Sequence, residues 1–221
     1  MKRVSDIIAI KIIFFITAAY VGLWAIRIPT IKDQLETDYI GVGYIMLTFA
    51  LGSIVAMIFA NALILKTSTK SILTCTLIAE GCLWLPVPFI QDLWLFMVFS
   101  FVFGMSYGAF EIACNVYASN LEVREKKSMM SGFHAFWSLG VLFGSLITSF
   151  LLEWNYSFIF NILLYVIILL PLSLYFVLCL ESQVETKSED SSKKKHIFYL
   201  ALTYFFISFN CNGKCYNGRK C

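Results

Sequence analysis

The chain has 221 residues and a formal net charge of +3; 59% of its residues are apolar and only 14% are charged. A soluble domain averages about 25% charged residues, so this composition excludes an ordinary soluble fold. The apolar residues form long blocks, and a block of about 18 residues can cross ~30 Å of hydrocarbon. Because the blocks do not alternate, helices are favoured over a β-barrel. We expect an all-α, polytopic membrane helix bundle.

The apolar blocks predict six complete membrane spans, which form a bundle domain over residues 1–180. We expect the first helix to remain in the protein because no small-residue cleavage site follows the charged start. Arg27 and Pro29 are expected to end this helix, and Pro86 and Pro88 to interrupt the third. The spans cover about residues 7–26, 40–65, 72–90, 93–119, 129–152 and 156–180.

After the sixth span the sequence divides into a polar segment, an apolar segment and a cysteine-containing tail. Residues 181–196 (ESQVETKSEDSSKKKH) are polar and predict a cytoplasmic linker. Residues 197–210 begin a seventh span, which the tail CNGKCYNGRKC (residues 211–221) interrupts. The three tail cysteines lack the paired spacing of a zinc site, so we expect no metal there. Our hypothesis is a frameshift that leaves the N-terminal half of a longer transporter with a truncated seventh span.

The basic residues predict the orientation, because Lys and Arg are concentrated in cytoplasmic loops. A cytoplasmic N-terminus leaves only Arg27 and Lys32 outside. The six spans and this orientation predict a multi-pass protein with a cytoplasmic N-terminus; the bacterial inner membrane is what the resemblance described below implies. The residues placed in the cytoplasm are Lys2, Arg3, Lys66, Lys70, Arg124, Lys126, Lys127, Lys187, Lys193, Lys194 and Lys195.

Polar groups within the fourth span suggest a binding site. Glu111 and Asn115 are four residues apart and share a helical face, which Tyr107 extends by one turn. Such a stripe can bind a hydroxylated or cationic solute, or carry a proton. Alternatively, the polar pair only ties the fourth span to a neighbouring helix. Glu80, in the middle of the third span, is either a proton relay or a neutral buried acid.

The fifth span begins with a second group of candidates. His134 lies about one turn into it, and a histidine can change charge near neutral pH. It either contacts a proton or solute, or is a neutral ring bonded across helices. Trp137 either stacks on a sugar ring or packs against a helix. Gly140 and Gly144 are four residues apart, as are Gly104 and Gly108 on the fourth span. This spacing of small residues lets two helices approach closely.

Three stretches resemble the major facilitator superfamily, and more narrowly its rhizopine-transport-like and fucose-permease-like branch. They are WAIRIPTIKDQL (residues 24–35), GAFEIACNVYASNLE (residues 108–122) and SGFHAFWSLGVLFGS (residues 131–145). The resemblance covers about residues 8–180. It implies a six-helix half of a secondary transporter for a small polar solute, sugar-like or drug-like and driven by protons. The implied substrate or proton residues are Glu111, Asn115, His134, Trp137 and Tyr107.

The loop after the second span departs from the superfamily's gating signature. In NALILKTSTKS (residues 61–71), Leu65 replaces the expected acidic residue and Ser68 an expected glycine. Lys66 and Lys70 keep the basic character, so we assign them to gating. Arg27 either anchors the interface or closes an outer gate. The departures also support an alternative, in which the chain is a non-functional remnant of a transporter gene.

Other function classes find little support. The chain has no phosphate-cradling glycine-rich loop, HExxH site or nucleophile–base pair, so neither an ATP-driven pump nor an enzyme is expected. Nucleic acid is not an expected partner, because the basic residues follow the membrane topology. We expect no cofactor. The expected partners are a small-molecule solute, the lipid bilayer, and a second half-bundle without which the chain alone does not transport.

Overall fold

The computed structural model describes residues 5–181, except for the side chains of residues 60–63, 65 and 66. This part of the chain contains six α-helices and a short 3₁₀ turn, with no β-strand, which confirms the all-α prediction. The six helices, α3 together with the turn that follows it, are long and apolar enough to cross a membrane. They are α1 (Asp6–Gln34), α2 (Tyr39–Lys66), α3 (Thr69–Trp84), α4 (Leu93–Glu125), α5 (Met130–Glu153) and α6 (Phe158–Cys179), with the turn at Val87–Phe89.

Side-chain caps explain where three of the helices begin. The Ser68 hydroxyl accepts a hydrogen bond from the Ser71 backbone N–H, and Asp92 accepts one from Leu95 at 2.7 Å. Ser157 does the same at the start of α6. Each cap satisfies an N–H group that has no partner within its own helix, and such caps contribute about 1 kcal/mol each. The predicted linker, seventh span and tail lie outside the described residues.

The prediction that Arg27 and Pro29 end the first helix is wrong, because α1 continues to Gln34 with Pro29 inside it. Contacts beyond the proline hold the extension in place. The Gln34 amide donates to the carbonyl oxygens of Val87 and Ile90, at 2.9 Å and 2.6 Å. A proline removes one backbone hydrogen bond, and a membrane helix tolerates this loss where neighbouring segments support it.

The helices pack in two tight pairs, α1 with α5 and α2 with α4, while α3 and α6 join these pairs at the back. Following the main contacts around the bundle gives the order α5, α1, α6, α3, α4, α2. Opposite α3 and α6, the two pairs touch only lightly, where α1 meets α2 and α4 and where α4 meets α5. We call this side the front face, and the line along which the pairs meet the seam.

Glycines allow the α1–α5 pair to form. A Cβ atom on Gly144 would collide with the Ala19 backbone, and one on Gly22 would lie 2.6 Å from the Ser145 nitrogen. The backbones are therefore too close for any other residue at either position. Gly140, the other glycine of the pair predicted in the fifth span, also faces α1, where its Cβ would meet the Phe15 backbone.

The α2–α4 pair uses the same device. A Cβ atom on Gly104 would overlap the Phe49 backbone, and one on Gly108 would lie 2.8 Å from the Ser53 Cα. The Ser53 hydroxyl also donates a hydrogen bond of 2.9 Å to the Gly104 carbonyl oxygen. Close approach of the backbones thus combines dispersion with an interhelical hydrogen bond, the interactions that join helices in lipid.

One end of the bundle carries Lys70, Arg124, Lys126 and Lys127, and we call it the basic end. There Arg124 forms ion pairs with Asp6 at 2.8 Å and with Glu181 at 3.2 Å. Asp6 is almost completely buried, and it also accepts a hydrogen bond from the Glu181 backbone N–H. This network connects the start of α1 with the end of α4 and with Glu181, two residues beyond the end of α6.

Candidate functional site

The predicted solute residues lie on two helices at the front face. We call Tyr107, Glu111 and Asn115 of α4, with His134 and Trp137 of α5, the polar cluster. The Tyr107 and Trp137 rings meet with their centroids 6.3 Å apart. This contact bridges the seam, so the structure brings together residues that are 30 positions apart in the chain.

Phe14 of α1 completes the base of the polar cluster. Its ring is 5.8 Å from the His134 ring and 6.3 Å from the Trp137 ring, both in edge-on arrangements. Edge-on contacts of this kind favour one orientation of each ring. The imidazole and the indole are therefore positioned by α1, on which α5 packs.

Glu111 and His134 form the ionisable part of the polar cluster. Glu111 lies on α4 and His134 on α5, the two helices that the contact between Tyr107 and Trp137 joins. The His134 side chain is exposed, and Glu111 and Asn115 are half-buried. Asn115 lies one helical turn from Glu111, towards the basic end. An acid, an amide and an imidazole on one accessible face can bind hydroxyl or ammonium groups, or exchange protons.

A cavity adjoins the polar cluster on the side away from the basic end. It has a volume of about 260 Å³, and eight of its twelve lining side chains are aromatic. We call it the aromatic cavity. Tyr107 belongs to both the cavity and the polar cluster, so the two are continuous. The other lining aromatic residues include Tyr20 and Trp24 of α1, Trp84 of α3, and Phe96 and Phe103 of α4.

Glu80 of α3 supplies a carboxyl group to the aromatic cavity, although only 7% of the residue is exposed. One turn along α3, the Trp84 indole N–H has no hydrogen-bond partner among residues 5–181. The Trp84 ring stacks on Tyr20 at 6.0 Å and meets Phe103 edge-on at 5.6 Å. The cavity thus combines a largely aromatic wall with one acid, the Ser100 hydroxyl and the unpaired Trp84 donor.

The family model described as Major Facilitator Superfamily matches residues 11–213. This chain belongs to the major facilitator superfamily. Two curated relatives are similar to it. An uncharacterised MFS-type transporter of Yersinia pestis is 28% identical over 145 residues, which are 64% of this chain and 37% of the relative. An uncharacterised transporter of Sinorhizobium fredii is 26% identical over 141 residues, which are 60% of this chain and 35% of the relative.

The chain therefore spans little more than a third of the length of these curated superfamily relatives. No solved structure matches the chain. The narrower branch of the superfamily, suggested by the three sequence stretches, stays a prediction. Membership shows a multi-pass membrane protein related to transporters, in agreement with the six apolar helices.

The residues assigned to gating in this superfamily member lie apart from the polar cluster. Arg27 is 2% exposed, and its guanidinium donates to the Asn161 side-chain oxygen at 3.1 Å and to the Tyr156 carbonyl oxygen at 3.3 Å. Lys70 donates to the carbonyl oxygens of Leu178 and Leu180 at the end of α6. Both contacts join helices within this bundle. The Lys66 side chain is not described, and all three gating roles stay predictions.

Sequence reasoning missed the aromatic cavity. A signal was present in α4, where Phe96, Phe99, Phe103 and Tyr107 repeat at helical spacing and so share one face. That pattern does not reveal what the face meets. The acid that enters the cavity comes from α3, and its position depends on how α3 packs against α4.

Proposed function

We propose that this chain forms one half of the solute pathway of a proton-driven secondary transporter, and that the polar cluster binds the solute and the proton. The observation that carries the proposal is the position of Glu111 and His134. They lie on the two helices that meet across the seam through the contact between Tyr107 and Trp137, and both side chains are at least partly accessible on the front face.

The cost of placing charges in lipid supports this role. A charged side chain at the bilayer centre costs about 2.5–3.5 kcal/mol on insertion scales, so such residues usually face a water-filled cavity. A front face with an acid, an amide and an imidazole is therefore poorly suited to hydrocarbon. We infer that it lines an aqueous crevice, whose opposite wall is a second helix bundle.

The arrangement suggests a division of roles within the polar cluster. Glu111 and Asn115 hydrogen-bond the hydroxyl or amino groups of a small polar solute, sugar-like or drug-like. Trp137 and Tyr107 offer ring faces against which the solute stacks. His134 exchanges a proton with Glu111, so that solute movement follows the proton gradient. No cofactor is needed, and superfamily membership favours a transporter over an enzyme.

Transport requires the second bundle, because sites in this architecture lie between two halves that rock against each other. We propose that the basic end is cytoplasmic, with the chain in a bacterial inner membrane and its N-terminus inside. Lys70, Arg124, Lys126 and Lys127 at that end support this orientation.

A second candidate function is a folded remnant that does not transport. The loop between α2 and α3 favours it, since Leu65 and Ser68 stand where the superfamily's gating signature has an acid and a glycine. The two candidates make opposite predictions when a complete partner bundle is supplied.

A chimera tests both candidates. Residues 1–180 are joined to the part of the Yersinia pestis relative that follows the matched region, and the product is reconstituted in liposomes that contain a pH-sensitive dye. Hexoses, inositols and quaternary amines are then added in turn. We expect at least one solute to drive proton movement, and Glu111→Gln to reduce its rate at least tenfold, or about 1.4 kcal/mol in barrier.

Glu153→Gln is the matched control, because Glu153 is an exposed acid at the end of α5 and outside the polar cluster. Its chimera should transport at the unmodified rate. If Glu111→Gln transports as well as Glu153→Gln, the role of the polar cluster is refuted. If a folded chimera moves protons with none of the solutes, the remnant is the better description.

A further inference from the structure

The wall of the aromatic cavity has an unusual chemistry for a sugar site. A buried sugar needs a hydrogen-bond partner for nearly every hydroxyl group, because an unpaired buried hydroxyl is costly. Here eight of the twelve lining side chains are aromatic, and Val21 and Met46 add further apolar surface. The two remaining side chains are Glu80 and Ser100. These are too few polar groups for a polyol, whereas an apolar ligand with a single charge would fit.

The sign of that charge follows from Glu80. Of the side chains described around the cavity, none is basic, and Glu80 is the acidic one. A buried carboxylate is unfavourable unless it is neutralised or paired. A cation within about 4–6 Å favours the charged form of a carboxyl group, so a bound cation would supply the counter-charge that no lining side chain provides.

The aromatic rings reinforce this selectivity. The face of a tryptophan, tyrosine or phenylalanine ring attracts cations, and the attraction is stronger where water is excluded. Trp84 is 2% exposed and Tyr20 is 4% exposed, so both rings offer desolvated surface. Several aromatic faces around one acid are the arrangement by which proteins recognise substituted ammonium groups.

We propose that the aromatic cavity binds a small substituted ammonium ion, with Glu80 as its counter-charge. The unpaired Trp84 N–H adds a hydrogen-bond donor, which suits a cation that also carries a hydroxyl group, such as an amino alcohol. As the substrate class of the transporter, this inference rests on the proposed function. Tyr107, shared with the polar cluster, places the bound cation beside the proposed solute pathway.

Binding is tested without transport. The full chain is placed in nanodiscs of phosphatidylethanolamine and phosphatidylglycerol, because phosphatidylcholine would itself present a quaternary ammonium group. Choline is titrated by calorimetry, with the fluorescence of the five tryptophans, two of which line the cavity, as a second readout. The comparison ligand is 3,3-dimethylbutan-1-ol, in which carbon replaces the charged nitrogen. We expect choline to bind at least tenfold more tightly than this alcohol.

Glu80→Gln keeps the shape of the side chain and removes its charge, and should weaken choline binding at least tenfold. Glu153→Gln should leave it unchanged. Size-exclusion chromatography shows whether each variant folds. Should Glu80→Gln aggregate, Trp24→Leu is used instead, because Trp24 is only partly buried. Its loss should weaken choline binding more than alcohol binding.

The inference is overturned if choline does not bind, if the alcohol binds equally well, or if a folded Glu80→Gln chain retains full affinity. These outcomes leave the role of Glu111 untouched. Conversely, a chimera that transports nothing would refute the proposed function, while choline binding that depends on Glu80 would still establish the cation site.

Discussion

The contact between Arg27 and Asn161 allows a sharp test of what Arg27 does. Asn161 is completely buried, and its side-chain oxygen accepts a hydrogen bond of 3.1 Å from the Arg27 guanidinium. Its amide nitrogen has no hydrogen-bond partner in the described part of the chain. Replacing Asn161 with leucine therefore removes one useful acceptor and one unsatisfied donor, and the two effects oppose each other.

A hydrogen bond to a charged group contributes about 1.5–3 kcal/mol, and an unsatisfied buried polar group costs about 1–3 kcal/mol. Asn161→Leu loses the first and relieves part of the second, so we expect a net destabilisation of about 1–2 kcal/mol. Asn161→Asp keeps the acceptor, replaces the unpaired N–H by a second acceptor and gives Arg27 a counter-charge. We expect it to be at least as stable as the natural chain.

The assay is reversible unfolding in mixed micelles with increasing denaturing detergent, read by circular dichroism. Both substitutions are repeated in an Arg27→Met background, where the difference between leucine and aspartate should reverse, because aspartate then lacks its partner. The reasoning is refuted if Asn161→Leu costs nothing, or if its cost is the same in both backgrounds. Either result would mean that the hydrogen bond between Arg27 and Asn161 does not stabilise the fold, and would strengthen the predicted role of Arg27 in an outer gate.

Two further predictions concern stability. Gly144→Val should separate α1 from α5 and destabilise the chain by about 3 kcal/mol, the upper end of the cost of overpacking, because its Cβ would collide with backbone atoms. Gly43→Ala, where a Cβ meets nothing within 4 Å, should be nearly neutral in the same unfolding assay. Asp6→Asn should destabilise the chain by about 1 kcal/mol, because it removes the charge that Arg124 contacts at 2.8 Å. High salt should reduce this difference in stability; if it does not, the lost ion pair does not cause the destabilisation.

The six spans were predictable because a helix in lipid must be long and apolar by itself. The end of α1 was not, because its extension beyond Pro29 depends on partners distant in sequence. Gln34 bonds to the segment between α3 and α4, and Arg27 bonds to Asn161 at the start of α6. A local pattern contains no information about either partner.

In the candidate site, too, the positions along one helix were predictable, whereas the contacts between helices were not. Helical spacing places Glu111 and Asn115 on one face, and the structure shows them one turn apart on α4. The contact between Tyr107 and Trp137, which joins the helix of Glu111 to the helix of His134, depends on how α5 lies beside α4. The entry of Glu80 into the aromatic cavity depends on the packing of a third helix.

The bundle should deform most easily across the seam, where the two helix pairs have few contacts. We expect each of the pairs α1–α5 and α2–α4 to move as a rigid unit, because at the glycine contacts the two backbones touch with no side chain between them. We therefore expect bending to concentrate at the seam between the two pairs, which α3 and α6 connect at the back. Since the aromatic cavity lies between α1 and α4, a few degrees of opening would change its width while leaving every glycine contact intact.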